Sequence, residues 1–356
     1  MTWENELTQE LLGEVELSAL DSFLEETGVS MTFQELLEKV IDQGWGVESI
    51  TDIVFWLKDL LFSELVENKM LFLEVLLITF CFSLLKNSAG NFGSSYISDV
   101  CFLLVYSVLA LMLLKSMYIF QEIVARTIEQ SVSFMQVFVP CFCTGMFFSS
   151  NVYTSAGFYQ IAFLAIYMAE WTFEKIFLPC IHVYVLLQIF NHFFEETQFG
   201  NLAELIENVV NWGLKIVVTA VLGLGVVQNL INPVKDRMTH GTFAKAVSAI
   251  PGVGNAAGSF SEVLLGSGMI IKNGIGIAGI IVLVCIGIGP LVKTGVLAFL
   301  YKIMAAVTEP LSDRRISDCI KQLSGAAGLY MKVQGYCLLI FFITIALAVS
   351  VTTFTF

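Results

Sequence analysis

Beyond about residue 69 the chain is a series of long apolar runs separated by short polar segments. The runs cover residues 70–86, 97–115, 131–149, 155–171, 175–194, 212–231, 273–292 and 330–352. A helix needs about 20 apolar residues to cross ~30 Å of hydrocarbon, and the runs approach that length. The pattern predicts up to eight membrane-spanning helices and an all-α fold, that of a polytopic α-helical integral membrane protein.

The first 68 residues have a different pattern, which is typical of amphipathic helices. Thr32 and Glu35 have the spacing of a capping box, in which each residue satisfies an amide at the start of a helix. Apolar side chains then recur at one-face helical spacing at Phe33, Leu36, Leu37, Val40 and Ile41, and a second stripe runs from 50 to 61. This region is predicted to be a small helical bundle, with a docking surface or membrane-lying helices as the alternative.

Charge separates the same two regions. The chain has a formal net charge of −13 and a mean hydropathy of +0.80. Sixteen Asp and Glu residues lie in 1–68 against Lys39 and Lys58, whereas the remaining fifteen acids and sixteen bases nearly cancel. The start has no basic segment before an apolar core, so insertion is expected to depend on the first span or on a signal that has been removed.

These features predict four parts. They are an acidic extracytoplasmic helical region (1–68), a first group of membrane helices (69–231), a Gly- and Pro-broken re-entrant or interfacial segment (232–272) and C-terminal membrane helices with a basic loop (273–356). The loop 301–329 holds the densest cluster of Lys and Arg and is therefore predicted to be cytoplasmic. Counting spans from that loop puts both the N-terminus and the C-terminus outside.

Ionisable residues and prolines within the apolar runs are the candidates for function. Charged groups at membrane depth are costly, which singles out Glu74, Glu170 and Lys293, although each could also snorkel to a membrane surface. Pro140, Pro179 and Pro290 are candidate helix kinks, because proline lacks the amide that a helix needs.

Glycines form the densest small-residue pattern, at Gly252, Gly254, Gly258, Gly274, Gly276 and Gly279. Small residues let membrane helices approach closely, so these positions are predicted to contact other helices. The sequence leaves open whether those helices belong to the same chain or to another subunit.

Catalytic signatures are missing from the sequence. There are three histidines and no HExxH, GxSxG or GxxxxGK[ST] motif, and the eight cysteines form no CxxC pair. The expectation is a protein that is not an enzyme, with no catalytic residues, metal or cofactor. An intramembrane enzyme would need a nucleophile–base pair or a carboxylate pair, and neither can be named.

The C-terminal half carries an ordered series of Gly-, Pro- and Lys-containing segments. It includes the runs 232–237, 250–254 and 269–279 and the stretch LYKIMAAVTEPLSD at 300–313. This series resembles the stage III sporulation protein AE family of endospore-forming bacteria, most clearly over about residues 200–350.

The resemblance implies a membrane subunit of a channel-like complex that links mother cell and forespore during engulfment. It also implies a place in the mother-cell membrane around the forespore. Its partners would be the other proteins of the same sporulation operon and the forespore-side stage II sporulation protein Q. We therefore expect a non-enzymatic subunit of a channel or secretion-type complex, with homo-oligomer formation through the glycine faces. The alternative from another class is a self-sufficient secondary transporter, in which Lys293 and Glu170 would form an ion site.

Overall fold

The computed structural model describes residues 17–26, 32–43, 72–81, 95–149, 152–193, 199–248, 254–310 and 312–350, with single positions between 58 and 84. For 42–43, 95–99, 101, 148–149, 152–154, 228–248 and 254–265 the description covers the backbone alone. The helices are α1 (Ser18–Glu26), α2 (Phe33–Gln43), α3 (Phe72–Cys81), α4 (Ser95–Ser149), α5 (Val152–Met168), a π-helix (Ala169–Phe177), α6 (Leu178–Phe193), α7 (Gly200–Ser248), α8 (Gly254–Thr308) and α9 (Arg314–Ser350).

The described residues contain no strand, and five stretches of helix are long and apolar enough to cross a membrane. These stretches are Phe102–Phe147, Ser155–Phe193, Gly200–Val227, Gly266–Thr308 and Arg314–Ser350. The prediction of an all-α, multi-pass membrane fold is therefore confirmed.

Two pairs of the predicted spans are not separate helices. The runs 97–115 and 131–149 both lie within α4, and the run 155–171 and the described part of the next run (175–193) lie in one unbroken helical stretch. Between the two runs of α4, residues 116–130 contain no Gly or Pro, and Met117, Phe120 and Val124 keep pointing into the core. α4 therefore remains helical through 116–130, although charged residues interrupt the apolar pattern there.

Helix also covers parts of two segments that connect the predicted spans. Residues 254–272 belong to α8, Pro251 and Gly252 lie outside the described residues, and the re-entrant or interfacial element over 232–272 stays a prediction. Each glycine still supplies an amide and a carbonyl, so glycines alone do not interrupt the helix. The basic stretch 301–329 consists of the end of α8, a short turn and the start of α9.

α9 lies at the centre of the bundle and packs against α4, α5, α6, α7 and α8. Around it the neighbouring helices follow in the order α8, α4, α5 and α6, then α7, and α7 and α8 share few contacts. α9 runs parallel to α4, since Tyr106 meets Cys319 and Thr127 meets Gln334. Connected by a short turn, α8 runs antiparallel to both.

Five segments without Asp, Glu, Lys or Arg lie side by side and form what we call the uncharged layer. They are 131–149, 152–169, 216–234, 273–292 and 333–350. Cross-contacts align them: the Phe142 and Phe158 rings are 5.0 Å apart, and Gly276 adjoins Phe142 and Val349. Each segment is about 20 residues long, which matches the ~30 Å hydrocarbon thickness of a bilayer.

A charged belt borders this layer on one side. We define it by Arg126, Glu129, Glu170, Glu174, Lys175, Lys215, Lys293 and Lys332. Interactions between helices place members of the belt at one height: Lys332 Nζ donates to Asn211 Oδ1 at 2.9 Å, and the Glu129 carboxylate attracts the Lys175 ammonium. The parts of α4, α6, α7, α8 and α9 beyond the belt form what we call the distal half.

α1 and α2 pack on the seam between α4 and α8. Thr32 Oγ1 accepts from the Glu35 amide at 3.2 Å, and Glu35 Oε2 accepts from the Thr32 amide at 3.4 Å, which confirms the predicted capping box. Phe33 and Leu37 are buried, so the predicted apolar face of α2 is the packed one. These two helices are therefore part of the same packed bundle.

The closest helix approach gives a test of this packing. A Cβ on Gly279 would meet the Phe138 ring, which cannot shift easily because it stacks between Phe134 and Phe142 at 5.3 and 5.4 Å. We expect Gly279→Ala to destabilise the bundle by about 1–3 kcal/mol in reversible detergent unfolding.

Gly223→Ala is the matched control, because nothing lies within 4 Å of the added methyl group. It should be neutral or stabilise the helix by up to about 1 kcal/mol. Equal effects of the two variants would contradict the α4–α8 contact.

Candidate functional site in the membrane core

Three buried polar side chains meet where α4, α8 and α9 join at the charged belt. Thr294 Oγ1 lies 2.8 Å from Gln334 Oε1, and Gln334 Nε2 donates to Thr127 Oγ1 at 3.3 Å. All three side chains are inaccessible to solvent. Polar groups at such depth are costly unless they are paired, and this polar cluster pairs them across three helices.

Pro290 and Lys293 lie next to this cluster on α8. The Thr294 hydroxyl is also 3.1 Å from the Pro290 carbonyl oxygen, one turn back on the same helix. α8 continues as helix through Pro290, which supplies no amide to the carbonyl four residues before it. Lys293 is half-buried and belongs to the belt. The structure thus places two of the sequence-predicted residues beside a polar cluster that the sequence analysis missed.

Aromatic residues continue the packing of α4 against α8, α9 and α6 from the cluster through the distal half. The Phe120 ring lies 5.9 Å from Tyr301 and 6.2 Å from Tyr330. At the far end the Tyr106 hydroxyl donates to the Ile189 carbonyl at 2.7 Å. Large buried rings therefore pack α4 against its neighbours along the length of the distal half.

Glu170, Glu174 and Lys175 lie on the π-helix between α5 and α6. The Leu178 amide bonds to the Phe173 carbonyl, the i→i+5 pattern of a wide turn, and Pro179 follows directly in α6. Lys175 Nζ is 2.5 Å from Glu174 Oε1 in a pair that is largely exposed. Exposed pairs contribute little to stability, but π-helical segments are frequent at functional sites.

A cavity of about 200 Å³ opens between α4 and α5 beside Pro140. Its lining includes Gln136, Tyr159, Phe163 and Glu170. Because Pro140 has no amide, the Gln136 carbonyl four residues earlier lacks its usual helical partner. α4 remains helical through this position, so the proline leaves one helical carbonyl without its usual partner beside a mostly apolar cavity.

Lys272 is a buried cation that the sequence analysis did not single out. Its side chain is inaccessible to solvent, and Nζ donates to the Val349 carbonyl oxygen at 3.0 Å. Val349 belongs to the last turn of α9, where carbonyls have no amide partner within the helix and carry partial negative charge. Lys272 therefore caps the end of the central helix at the edge of the uncharged layer.

The remaining residues singled out from the sequence lie at different places in the bundle. Gly274 adjoins Leu37 and Ile41 of α2, Gly276 adjoins α4 and α9, and Gly279 adjoins α4, so these three glycines contact helices of the same chain. The backbones of Gly254 and Gly258 are in α8, while Gly252 lies outside the described residues. Glu74 is exposed on α3.

Within the described part of the chain no group of three or more His, Cys, Asp or Glu side chains could hold a metal ion. What the core presents is a neutral polar cluster at the meeting point of three helices, a π-helix carrying carboxylates, and a capped central helix. Together with the five long apolar stretches of helix, they belong to a multi-pass helical membrane protein.

The family of the chain follows from comparison with known proteins. The family model of stage III sporulation protein AE matches residues 31–352, and the chain belongs to this family. Stage III sporulation protein AE of Bacillus subtilis (strain 168) is 27% identical over 308 residues, which cover 84% of this chain and 76% of that protein. No solved structure matches.

The polar cluster can be tested by removing one hydroxyl. Thr294→Val leaves Gln334 Oε1 without its hydroxyl partner in the core, and we expect a loss of about 1 kcal/mol, the scale of interhelical hydrogen bonds in membrane proteins. The measurement is the midpoint of reversible detergent unfolding.

Thr219→Val is the matched control. Thr219 is exposed in the uncharged layer and its hydroxyl bonds only to the Lys215 carbonyl of its own helix. An equal loss in both variants would show that the contact between α8 and α9 contributes nothing.

Proposed function

We propose that this protein is a non-enzymatic membrane subunit of a multiprotein channel or secretion-type complex that links mother cell and forespore during sporulation. Its partners are the other proteins of the same sporulation operon and the forespore-side stage II sporulation protein Q, as the family resemblance implies. Membership of a sporulation family supports a role in sporulation. The proposal of a complex rests on the shape of the apolar surface.

The apolar helices are longer than a bilayer requires. The stretch in α4 has 46 residues and that in α8 has 43, whereas about 20 cross the hydrocarbon. With the uncharged layer in lipid, the distal half lies beyond the charged belt and outside the hydrocarbon. It still exposes large apolar side chains to its surroundings, among them Leu103, Leu104, Val108, Leu111, Val183, Phe190, Leu202, Leu205 and Val209.

A large apolar surface that would otherwise be exposed to water marks a site of contact with another protein. The nine residues just named lie on α4, α6 and α7, which are neighbours around α9. Partner subunits covering this flank would remove it from water. This excess of apolar surface outside the layer is the observation that carries the proposal.

The distribution of basic residues supports an orientation. Most of the Lys and Arg residues in the described helices lie in the belt or beyond it, namely Lys115, Arg126, Lys175, Lys215, Lys293, Lys302, Arg314, Arg315, Lys321 and Lys332. By the positive-inside rule the distal half is cytoplasmic, in the mother cell. The end of α9 then lies on the extracytoplasmic side, as predicted for the C-terminus, and the same placement is proposed for the N-terminus.

Two exposed leucines of the distal half give the test. Leu104→Glu and Leu205→Glu should each reduce co-purification with other products of the sporulation operon about tenfold or more, because burying a leucine contributes about 1.5–3 kcal/mol. Their detergent-unfolding midpoints should match the parent protein, since both side chains are more than half exposed.

Gln322→Glu, an exposed polar position on α9 in the same half, is the control and should leave the complex intact. The proposal fails if the parent protein purifies from sporulating cells as a lone monomer that moves an ion or solute in liposomes. That result would favour the secondary transporter and direct attention to Glu170 and Lys293.

A further inference from the structure

α1 and α2 lie at the depth of the uncharged layer. The Phe23 ring is 5.8 Å from Phe134, and the Asp21 carboxylate is close enough to the Cys141 thiol for a charge interaction. Asp21 Oδ1 also accepts from the Phe33 amide at 2.6 Å, which fixes the start of α2 at this point. Cys141 is near the middle of 131–149, so the two helices meet near the middle of the layer.

From there α2 passes along α8 towards the edge of the layer opposite the belt. Leu37 and Ile41 adjoin Gly274, where the missing side chain makes room for them. The apolar faces of both helices therefore pack against the α4–α8 seam, where Leu20, Phe23, Phe33 and Leu37 are buried.

The opposite faces are polar and exposed at the same depth. They carry Ser22, Glu25, Gln34, Glu35, Glu38 and Lys39. Elsewhere in the described part of the layer no exposed side chain is charged, and most of the exposed ones are apolar, for example Val284 on α8, Leu224 on α7 and Leu339 on α9. One flank of the layer therefore has the chemistry of a water-facing surface, whereas the others suit lipid.

A carboxylate in hydrocarbon costs several kcal/mol, so charged residues at membrane depth face protein or a water-filled cavity. Interfacial amphipathic helices avoid this cost by lying at the membrane surface. The packing of the Phe23 ring against Phe134, inside the layer, puts the junction of α1 and α2 deeper. Three exposed glutamates against one exposed lysine give the surface a net negative charge.

We propose that the polar faces of α1 and α2 border a water-filled passage through the uncharged layer. This inference rests on the proposed function, because neighbouring subunits must close the passage on its other sides. The acidic wall favours cations and repels anions, as rings of Asp and Glu do in cation channels. The α4–α8 seam then faces the passage, and the α4–α6–α7 flank of the distal half faces partners.

Thiol accessibility tests the inference in membranes that contain the assembled complex. Gln34→Cys and Glu38→Cys occupy one exposed face of α2 and leave the capping box intact. A charged, membrane-impermeant thiol reagent needs a hydrated thiolate. Both introduced cysteines should be modified, as measured by mass spectrometry of the labelled peptides.

Native Cys285 is the internal control, because it is exposed in the same layer on α8 but lies in a segment without charged residues. It should react at least about tenfold more slowly, since a thiol in lipid does not ionise. Labelling of Gln34→Cys and Glu38→Cys no faster than Cys285 would overturn the passage. If co-purification with the operon products persists in that case, only this inference fails and the proposed function stands.

A variant that does not accumulate is replaced by Glu25→Cys on the exposed face of α1, which is expected to behave in the same way. Slow reaction at this position as well would indicate a protein partner seated on the acidic face, and would equally overturn the passage.

Discussion

The free energy of placing charge in hydrocarbon organises this molecule. All five long helices are free of Asp, Glu, Lys and Arg over the same stretch of the bundle, and their charged residues begin again at one height. Lys332 and Asn211 join α9 to α7 at that height, and Gln334 joins α9 to α4 and α8. Because the belt follows from contacts between distant parts of the chain, it is a property of the fold rather than of any one helix.

The same cost of placing charge in hydrocarbon explains where polar side chains lie inside the layer and at its borders. Two buried side chains at its borders are paired: Gln334 with two threonines, and Lys272 with a carbonyl at the end of α9. Exposed carboxylates at membrane depth occur on α1 and α2, which pack on a single seam. A membrane-facing surface that is apolar on most flanks and acidic on one is consistent with a subunit that is surrounded by other proteins as well as by lipid.

Much of this architecture could be predicted from the sequence, because the apolar runs have a membrane length and the capping box at Thr32 and Glu35 is a local signal. The runs 131–149, 212–231 and 273–292 correspond closely to segments of the uncharged layer. Counting the runs failed where charged residues separate two parts of one helix, since nothing in 116–130 stops a helix. The pattern records polarity, and it does not distinguish a loop from a helix that leaves the membrane.

The candidate site was predictable only in part. Pro290 and Lys293 were visible because proline and charge are rare in apolar runs. Gln334 and Thr127 were not, because neutral polar residues occur on exposed faces too, and only the packing of α9 against α4 brings them together. The glycines were predicted as contacts, but Gly274 has an amphipathic helix as its neighbour, and that pairing spans more than two hundred residues of sequence.

Membrane depth measured along α7 tests the central claim most directly. Spin labels at Leu205, Val209, Ile216, Leu224 and Val227, all exposed, would be compared in nanodiscs for collisions with oxygen and with a water-soluble nickel complex. The account predicts that oxygen dominates at Ile216, Leu224 and Val227, and that the nickel complex dominates at Leu205 and Val209. Dominance of oxygen at Leu205 and Val209 would place the bilayer on the distal half and contradict the account.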